Sequence, residues 1–345
     1  MSAMWPTLAW MALRGWRSSV GRTSFLWLEI TGKCQLECVQ CYAESGPDGT
    51  HGPMSDADWL HVLDQAAAMG VEVVQFIGGE PTLHPGLPGL VAHALASDLA
   101  VEVYTNLVHV SDELWKVFAL PGVSLATSYY SDDPAQHAAI TRRPSHARTR
   151  ANIAEAVRRD IPVRAGVIDL GAGQRAGQAQ AELVDLGVPS VGYDRVRQVG
   201  RGVRGGRASV EQLCGRCGDG VAAISPDGDV WPCVFSRWLP IGNVLDTGLA
   251  EILTGPDARQ VTANLERAFG RRDLTHGVQA CNPGCSPTCN PISCGPRCEP
   301  MTSPCNPRQC APADQFCSPN YPGPSRRCSP RTDSPCRPMQ CRPTR

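Results

Sequence analysis

Short apolar runs rich in β-branched residues alternate with longer helix-like stretches through residues 24–200 of the chain. Such an alternation is typical of βαβ units, in which helices connect the strands of a parallel sheet. The strand-like runs lie at residues 25–30, 71–77, 101–104, 123–126, 163–168 and 188–191, and helices are predicted between them at 56–69, 86–96, 112–118, 148–159 and 178–186. We predict an α/β fold built as a partial (β/α)6 TIM-like barrel, with ligands at the strand ends. A doubly wound open sheet fits the pattern almost as well.

The cysteines are concentrated near the carboxyl end. Of the 17 cysteines in 345 residues, eleven lie after residue 280, and each of these is followed two residues later by proline. Proline disfavours helix at its own position and at the residue before it, so helix is excluded throughout this Cys-x-Pro tail. The tail is also too poor in apolar residues to bury a core of its own. We expect order up to about residue 298 and disordered low-complexity sequence over 299–345. There are two alternatives: the tail could bind metal or a cluster while covering the auxiliary domain, or it could supply thiol hydrogen-atom donors or partner contacts.

Composition and charge exclude several classes of protein. The formal net charge of -1 argues against a protein that binds nucleic acid broadly through its phosphates. No apolar run approaches the roughly 18 residues needed to span a bilayer, and an odd number of cysteines argues against a disulfide framework. Residues 1–23 read as a lead-in segment without the features of a signal peptide. We therefore expect a cytoplasmic protein with metal or redox chemistry, and neither a nucleic-acid nor a membrane partner.

Three cysteines follow the first predicted strand closely. Cys34, Cys38 and Cys41 lie within eight residues on the loop that leaves this strand. Three thiolates at this spacing can bind one side of a cubane iron–sulfur cluster and leave one iron without a protein ligand. An open metal position is what catalysis requires. A zinc knuckle is the alternative, although no second cysteine pair lies nearby in the sequence.

These cysteines, with Gly78-Gly79-Glu80 after the second strand, resemble the radical SAM superfamily over roughly residues 24–250. The resemblance implies a [4Fe–4S] cluster on Cys34, Cys38 and Cys41 and S-adenosylmethionine (SAM) as a cofactor. It further implies that SAM contacts come from Tyr42, Gly78, Gly79, Glu80, Asn106 and Ser128, with Asn106 ending the third strand and Ser128 the fourth. Glycines let backbone approach a ligand closely, and a carboxylate pairs with an ammonium group. Arginines that could assist are Arg142, Arg143 and Arg150, between which the sequence does not choose.

A glycine-rich segment follows the sixth strand. Gly200-Arg-Gly202-Val-Arg-Gly205 spells G-x-G-x-x-G, but neither an apolar helix nor a suitably placed acidic residue follows it. A dinucleotide-binding site is therefore not expected here. A Gly-Arg-Gly turn at this point is ordinary in the family that the chain resembles.

A second cysteine group surrounds a predicted β-hairpin. Cys214 and Cys217 precede the hairpin, whose turn is Pro-Asp-Gly228, and Cys233 follows it. The pattern resembles the SPASM or the shorter twitch extension of radical SAM enzymes, which implies one auxiliary iron–sulfur cluster with Cys281 or a near neighbour as fourth ligand. The later cysteine spacing departs from a full SPASM domain, so a second auxiliary cluster is not assigned. Zinc is the alternative metal.

The resemblance implies an enzyme that cleaves SAM reductively and abstracts a hydrogen atom from a peptide during the maturation of ribosomally made precursors, by cross-linking or epimerisation. A small-molecule substrate such as a sugar is the alternative enzyme, and a cysteine-rich metal-binding or interaction protein is the alternative of another class. The expected partners are the peptide, an electron donor such as flavodoxin or ferredoxin, and a separate leader-recognition protein, since only about 23 residues precede the first strand. The predicted domains are the lead-in (1–23), the barrel (24–200), the auxiliary domain (201–298) and the tail (299–345).

Overall fold

The computed structural model describes residues 23–171, 173–205 and 207–269, together with the backbone of two short strands at 326–328 and 341–343. The chain divides into two compact units, Met1–Arg271 and Arg272–Arg345. The expectations for residues 1–22, for Cys281 and for most of the Cys-x-Pro tail lie outside the described residues. Within the second unit, β10 (Arg326–Cys328) pairs antiparallel with β11 (Cys341–Pro343).

A nine-stranded sheet organises the first unit. Its order is β6-β5-β4-β3-β2-β1-β7-β8-β9, and the neighbours from β6 through β1 to β7 pair in parallel. The strands are β1 (Phe25–Glu29), β2 (Val73–Ile77), β3 (Ala100–Tyr104), β4 (Val123–Tyr129), β5 (Val163–Asp169), β6 (Ser190–Arg195), β7 (Val221–Ile224), β8 (Asp229–Trp231) and β9 (Gly242–Asn243). The six predicted strands thus lie side by side in chain order. This arrangement confirms the partial barrel and excludes the doubly wound alternative.

Helices connect the strands, and several begin at the caps that their sequences indicate. They are α1 (Asp56–Ala68), α2 (Leu87–Ala96), α3 (Asp112–Phe118), α4 (Pro134–Thr141), α5 (His146–Arg158), α6 (Ala176–Asp185), α7 (Leu249–Thr254) and α8 (Pro256–Phe269). Ser55 and Asp58 form a reciprocal capping box at the start of α1. None of the helices that the structure describes is long and apolar enough to cross a membrane.

Helix α4 was not predicted from the sequence, although its start carries a local signal. Asp133 caps it by accepting a hydrogen bond from Gln136 N, Pro134 occupies its first turn, and Arg142 ends it in the left-handed conformation with φ of 62°. Eight residues are too few for an apolar periodicity to stand out. The helix follows β4 directly and lies over the loop that contains the first three cysteines.

The predicted hairpin forms, but it also extends the barrel sheet. β7 and β8 pair antiparallel around a turn in which Gly228 has φ of +87°. On its other side β7 pairs in parallel with β1, in register from Phe25 opposite Val221. The second cysteine group therefore lies beside the first strand of the barrel.

The two faces of the sheet differ in chemistry. Leu26 and Leu28 of β1 belong to the main apolar core, together with Trp59 of α1. Because successive strand side chains point to opposite faces, Glu29 and its counterparts on neighbouring strands lie on the other face. Those counterparts include Gln75, Glu102 and Arg164, and Arg164 donates two hydrogen bonds to Glu102. The barrel thus has an apolar outer face under the helices and a polar inner face.

Candidate functional site at the carboxyl ends of the strands

The first three cysteines lie on the loop that leaves β1. Cys34 is buried, Cys38 and Cys41 are half-buried, and all three are free thiols. The Cys34 sulfur accepts hydrogen bonds from Leu36 N at 3.4 Å and from Asn106 Nδ2 at 3.7 Å. Thiolates that receive such hydrogen bonds are suited to soft metals and iron–sulfur clusters. The donor set therefore fits an iron–sulfur cluster.

No three His, Cys, Asp or Glu side chains among the described residues are gathered so that they could hold one metal ion. The ligands of a single tetrahedral ion crowd around it, whereas the cysteines of a cubane cluster each bind a different iron.

The cysteine loop is held in place by backbone contacts from several directions. Glu37 N donates to Thr141 O at 3.1 Å and Val39 N donates to Ile140 O at 3.0 Å, which attaches the loop to the end of α4. Arg143 adds an ion pair with Glu37 at 2.6 Å. The unpredicted helix α4 therefore supports the cysteine loop.

Burial governs the protonation of the loop thiols. Burial and then the nearby Glu80 carboxylate raise the pKa of Cys34 above its usual range. Burial, with a further contribution from Cys41, raises the pKa of Cys38 to about 12, although the Arg201 guanidinium opposes this shift. Cys34 and Cys38 are therefore protonated in the cluster-free protein, and binding to iron must release their protons.

The two glycines of Gly78-Gly79-Glu80 pack against the backbone of the cysteine loop. Gly78 has φ of +132°, and a Cβ atom there would lie 2.4 Å from Thr31 O. A Cβ atom on Gly79 would lie 2.2 Å from Lys33 O. Gly79 N donates to Thr31 O at 2.6 Å, and Glu80 N donates to Lys33 O at 2.8 Å. These positions require glycine because two backbones touch, a reason that the motif alone did not indicate.

The Glu80 carboxylate is completely buried, with an exposed fraction of 0%. Its Oε1 accepts hydrogen bonds from Thr82 N, Thr82 Oγ1 and Thr105 Oγ1 at 3.2, 2.7 and 2.6 Å, and its Oε2 accepts one from Asn106 N at 2.7 Å. Burial raises the Glu80 pKa, and the bonds from Thr105 and Thr82 oppose that shift. The side chain thus ties the end of β2 to the end of β3, with one acceptor position of Oε2 left for a further donor.

The structure joins Asn106 to the cysteine loop by hydrogen bonds, whereas the side chains of Ser128 and Tyr42 have other neighbours. Asn106 exchanges two hydrogen bonds, both 3.2 Å long, with the side chain of Gln35, next to Cys34. Ser128 lies two strands beyond β2, where its hydroxyl bonds to Tyr104 at 2.9 Å. Tyr42 packs edge-on against Phe235 with ring centroids 5.3 Å apart, and therefore faces the hairpin region.

Two of the three arginines considered from the sequence pair with carboxylates. Arg143 pairs with Glu37 as described, and Arg150 pairs with Glu182 at 2.6 Å. Arg142 is the left-handed residue that ends α4. Arg201, which the sequence did not single out, donates hydrogen bonds to carbonyl oxygens of the cysteine loop.

The second cysteine group comes together as the hairpin predicts. The Cys217 and Cys233 sulfurs are 3.2 Å apart, and both residues are buried. Cys214 contributes a further hydrogen bond to the Cys217 thiol, and the hydrogen bonds with Cys214 and Cys233, together with burial, raise the Cys217 pKa. The pKa of Cys233 is lowered by its bond with Cys217. Cys217 thus contacts both Cys233 and Cys214, and thiols are donors whose chemistry fits an iron–sulfur group.

Comparisons with known proteins agree with this geometry. The family model of the Radical SAM superfamily matches residues 28–179, and that of SPASM, an iron–sulfur cluster-binding domain, matches residues 214–290. The chain belongs to the radical SAM superfamily of enzymes. It carries, more particularly, a SPASM domain, so that SAM and iron–sulfur clusters are its cofactors.

Relatives of this kind include peptide cyclases. The chain is 25% identical to the PqqA peptide cyclase of Streptomyces rochei over 277 residues, which cover 68% of this chain and 76% of that protein. A PqqA peptide cyclase of Xanthomonas campestris pv. campestris is 43% identical over 81 residues, or 24% of this chain and 20% of that protein. That second match is local.

A solved structure with the same fold is that of SuiB from Streptococcus suis. SuiB bound to its precursor peptide SuiA aligns with a TM-score of 0.60 and 14% identity, covering 71% of this chain and 68% of that chain. SuiB bound to S-adenosylmethionine aligns with a TM-score of 0.59 and 15% identity, covering 70% of this chain and 68% of that chain. At these identities the similarity establishes a shared fold.

Proposed function

We propose that the protein modifies a ribosomally made precursor peptide by radical chemistry, forming a cross-link or inverting a stereocentre. The observation that carries this proposal is a continuous chain of hydrogen bonds from Glu80 through Asn106 to Cys34. These bonds join the segments that follow β2, β3 and β1 at the carboxyl ends of the strands. The peptide substrate is supported by the PqqA peptide cyclases and by SuiB with its precursor SuiA.

Cys34, Cys38 and Cys41 would hold a [4Fe–4S] cluster with one open iron. There the cluster would pass one electron from the proposed donor to SAM, and the 5′-deoxyadenosyl radical released together with methionine could remove a hydrogen atom from an unactivated carbon. The protein's own part is to hold the loop rigidly and to exclude water from the site. Asn106 and the backbone of Gly78 and Gly79 border the loop, and the remaining acceptor position on Glu80 Oε2 is suited to an ammonium group.

The other two residues assigned to SAM from the sequence have different surroundings. Ser128 and Tyr104 lie on the polar inner face, where they can meet the far end of SAM or the substrate. Tyr42 lies between the cysteine loop and the hairpin. We therefore propose contacts to SAM for Tyr42, Gly78, Gly79, Glu80, Asn106 and Ser128, with a packing role between the two cysteine groups for Tyr42 as well.

One auxiliary cluster is proposed on Cys214, Cys217 and Cys233, with Cys281 or a near neighbour as the fourth ligand. The close approach of Cys217 to Cys233 supports it, because a cluster held beside this hairpin could bind substrate or accept an electron. The proposed domains remain the lead-in (1–23), barrel (24–200), auxiliary domain (201–298) and tail (299–345).

An electron donor such as flavodoxin or ferredoxin and a separate leader-recognition protein are proposed as partners. Free, closely spaced thiols that bind iron need a reducing compartment, which supports a cytoplasmic location.

Anaerobic reconstitution tests the function. About four irons per chain are expected for one cubane and about eight for two. After reduction the protein should convert SAM to 5′-deoxyadenosine, and Cys34→Ala, Cys38→Ala and Cys41→Ala should each abolish that conversion. Cys233→Ala should retain SAM cleavage but lose about half of the iron and the modified peptide in mass spectra. A reconstituted protein that leaves SAM intact would refute the enzymatic role.

A further inference from the structure

The glycine-rich segment after β6 lies against the cysteine loop. Residues Gly200–Gly202 form a short 3-10 turn. The turn contacts the main chain at Cys41 and Tyr42, more than 150 residues earlier in the sequence. Nothing in the G-x-G-x-x-G pattern, which otherwise suggests a nucleotide loop, indicates this contact.

Arg201 makes three hydrogen bonds to carbonyl oxygens of the cysteine loop. Its backbone N donates to Cys41 O at 3.0 Å. Its guanidinium donates through Nε to Cys38 O at 2.9 Å and through Nη2 to Ser45 O at 2.6 Å. One residue thus binds the loop at both of the later cysteines and at the point where the loop ends. Two of these bonds are charge-assisted, which makes them stronger than ordinary backbone hydrogen bonds.

The turn is shaped so that Arg201 can make this approach. Gly200 has φ of +55°, and a Cβ atom there would lie 2.3 Å from Tyr42 O and 2.6 Å from Cys41 O. A side chain at position 200 would therefore push the turn off the loop. A Cβ atom on Gly202 would lie 2.3 Å from Arg197 O, so a side chain there would distort the turn itself.

The guanidinium also brings a permanent positive charge to the Cys38 side of the loop. A [4Fe–4S] cluster held by three thiolates carries a small net negative charge, because its oxidised core is cationic, and its reduction adds another negative charge. Positive charge and hydrogen bonds near a cluster stabilise the reduced form and raise its reduction potential. Arginine cannot lose its proton in a protein, so this charge is constant with pH.

We propose that Arg201 is a positioning residue that locks the loop from Cys38 to Ser45 in its cluster-binding shape and sets the potential of the cluster bound there. The proposal rests on the proposed function only in taking this loop to be the cluster site. In this proposal the Gly200–Gly202 turn, which follows the last barrel strand β6, attaches that side of the barrel to the loop after β1.

The test compares Arg201→Gln, Arg201→Lys and Arg204→Gln in the full-length reconstituted protein. Arg204 is the matched control because it lies in the same segment but donates its guanidinium hydrogen bond to Leu170 O, at 2.7 Å. Measured quantities are the rate at which iron is lost to a chelator and the midpoint potential of the cluster whose EPR spectrum changes when SAM is added. Thermal unfolding of the cluster-free chains establishes that each variant folds.

Arg201→Gln is expected to lose iron about tenfold faster, the effect of one charge-assisted hydrogen bond, and to show a more negative midpoint potential. Arg201→Lys should restore most of the potential, since it keeps the charge, but not the retention of iron, since an ammonium group lacks the planar fork that reaches two carbonyls. If Arg201→Gln does not fold, Arg201→Lys tests the proposal by itself. It should keep most of the midpoint potential of the parent protein but lose iron faster.

Equal iron loss and equal potential in Arg201→Gln and the parent protein would overturn the proposal while leaving the proposed function intact. The same changes in Arg204→Gln would also overturn it, because they would reflect a general loosening of the segment. A parent protein that takes up no cluster would instead refute the proposed function, and this proposal with it.

Discussion

The carboxylate of Glu29, at the end of β1, accepts two hydrogen bonds from Arg237 Nη1, at 2.8 and 2.6 Å. Glu29 is buried, and the Arg237 guanidinium also lies over the Trp231 ring, 4.3 Å from its centroid. Arg237 follows Cys233 by four residues, and Glu29 precedes Cys34 by five. The pair therefore joins the strand that leads to the first cysteine group to the segment that leaves the second.

Removing one partner of this pair should destabilise the protein. Arg237→Met leaves the buried Glu29 carboxylate without its cation, which is expected to cost about 3 kcal/mol in the free energy of unfolding. The double variant Glu29→Gln with Arg237→Met should recover much of the loss, because no buried charge remains. Urea unfolding of the cluster-free proteins measures both values. A single variant as stable as the parent would mean that the pair is not structurally important.

Burial raises the Glu29 pKa, against the opposing effect of Arg237. A carboxyl group whose pKa is raised in the folded state binds protons more readily there than in the unfolded chain. Its contribution to stability is therefore largest at low pH and falls as the pH rises through the folded pKa. Replacing Glu29 with Gln should remove this fall, which a comparison of unfolding curves across pH would detect.

Gly79 should tolerate no side chain. Gly79→Ala would place a Cβ atom 2.2 Å from Lys33 O, so the cysteine loop must move and the stability should fall by more than about 1 kcal/mol. Gly89 is the control: it is exposed in α2, and a Cβ atom there meets nothing within 4 Å. Gly89→Ala should stabilise the protein by about 0.5 kcal/mol. Thermal unfolding and iron uptake distinguish the two, and parallel behaviour would contradict the packing described here.

Glu80 should matter to the fold as well as to the cofactor. Glu80→Gln replaces a buried acceptor of four hydrogen bonds with a group that is half donor, so at least one N–H or O–H loses its partner. The expected cost is about 1–3 kcal/mol in the cluster-free chain. Glu72→Gln, at an exposed glutamate just before β2, should be neutral. An unchanged unfolding midpoint for Glu80→Gln would show that the carboxylate acts on the cofactor alone.

His137 makes the protein less stable in acid. Burial and then His146 lower its pKa from 6.5 to about 4. Between these values the unfolded chain binds a proton that the folded chain does not, so stability falls as the pH decreases from 6.5 towards 4. The charged or titratable groups around it are His146, Tyr129, Tyr130 and Glu182. His137→Gln should flatten the dependence of the melting temperature on pH in this interval; an identical slope would assign it to another group.

Much of the fold and of the site could be predicted because the signals are local. Apolar periodicity located the six barrel strands, and short motifs at strand ends located the cysteine loop and Gly78-Gly79-Glu80. The capping box of Ser55 at the start of α1 is a local signal of the same kind. The Pro-Asp-Gly turn identified the hairpin that brings Cys217 to Cys233. Helix α4 was missed because eight residues are too few for a periodicity.

The sequence by itself determined the six strands, their alternation with helices and the residues suited to hold iron, since each depends on neighbours within a few positions. Only the tertiary structure decided that β7 pairs with β1, that Glu29 meets Arg237 across 208 positions, and that Arg201 reaches Cys38 across 163. Contacts at such separations follow from which strands become neighbours in the sheet. The chain carries no local pattern for that choice, so a glutamate in an apolar strand and an arginine between two glycines disclose their partners only after folding.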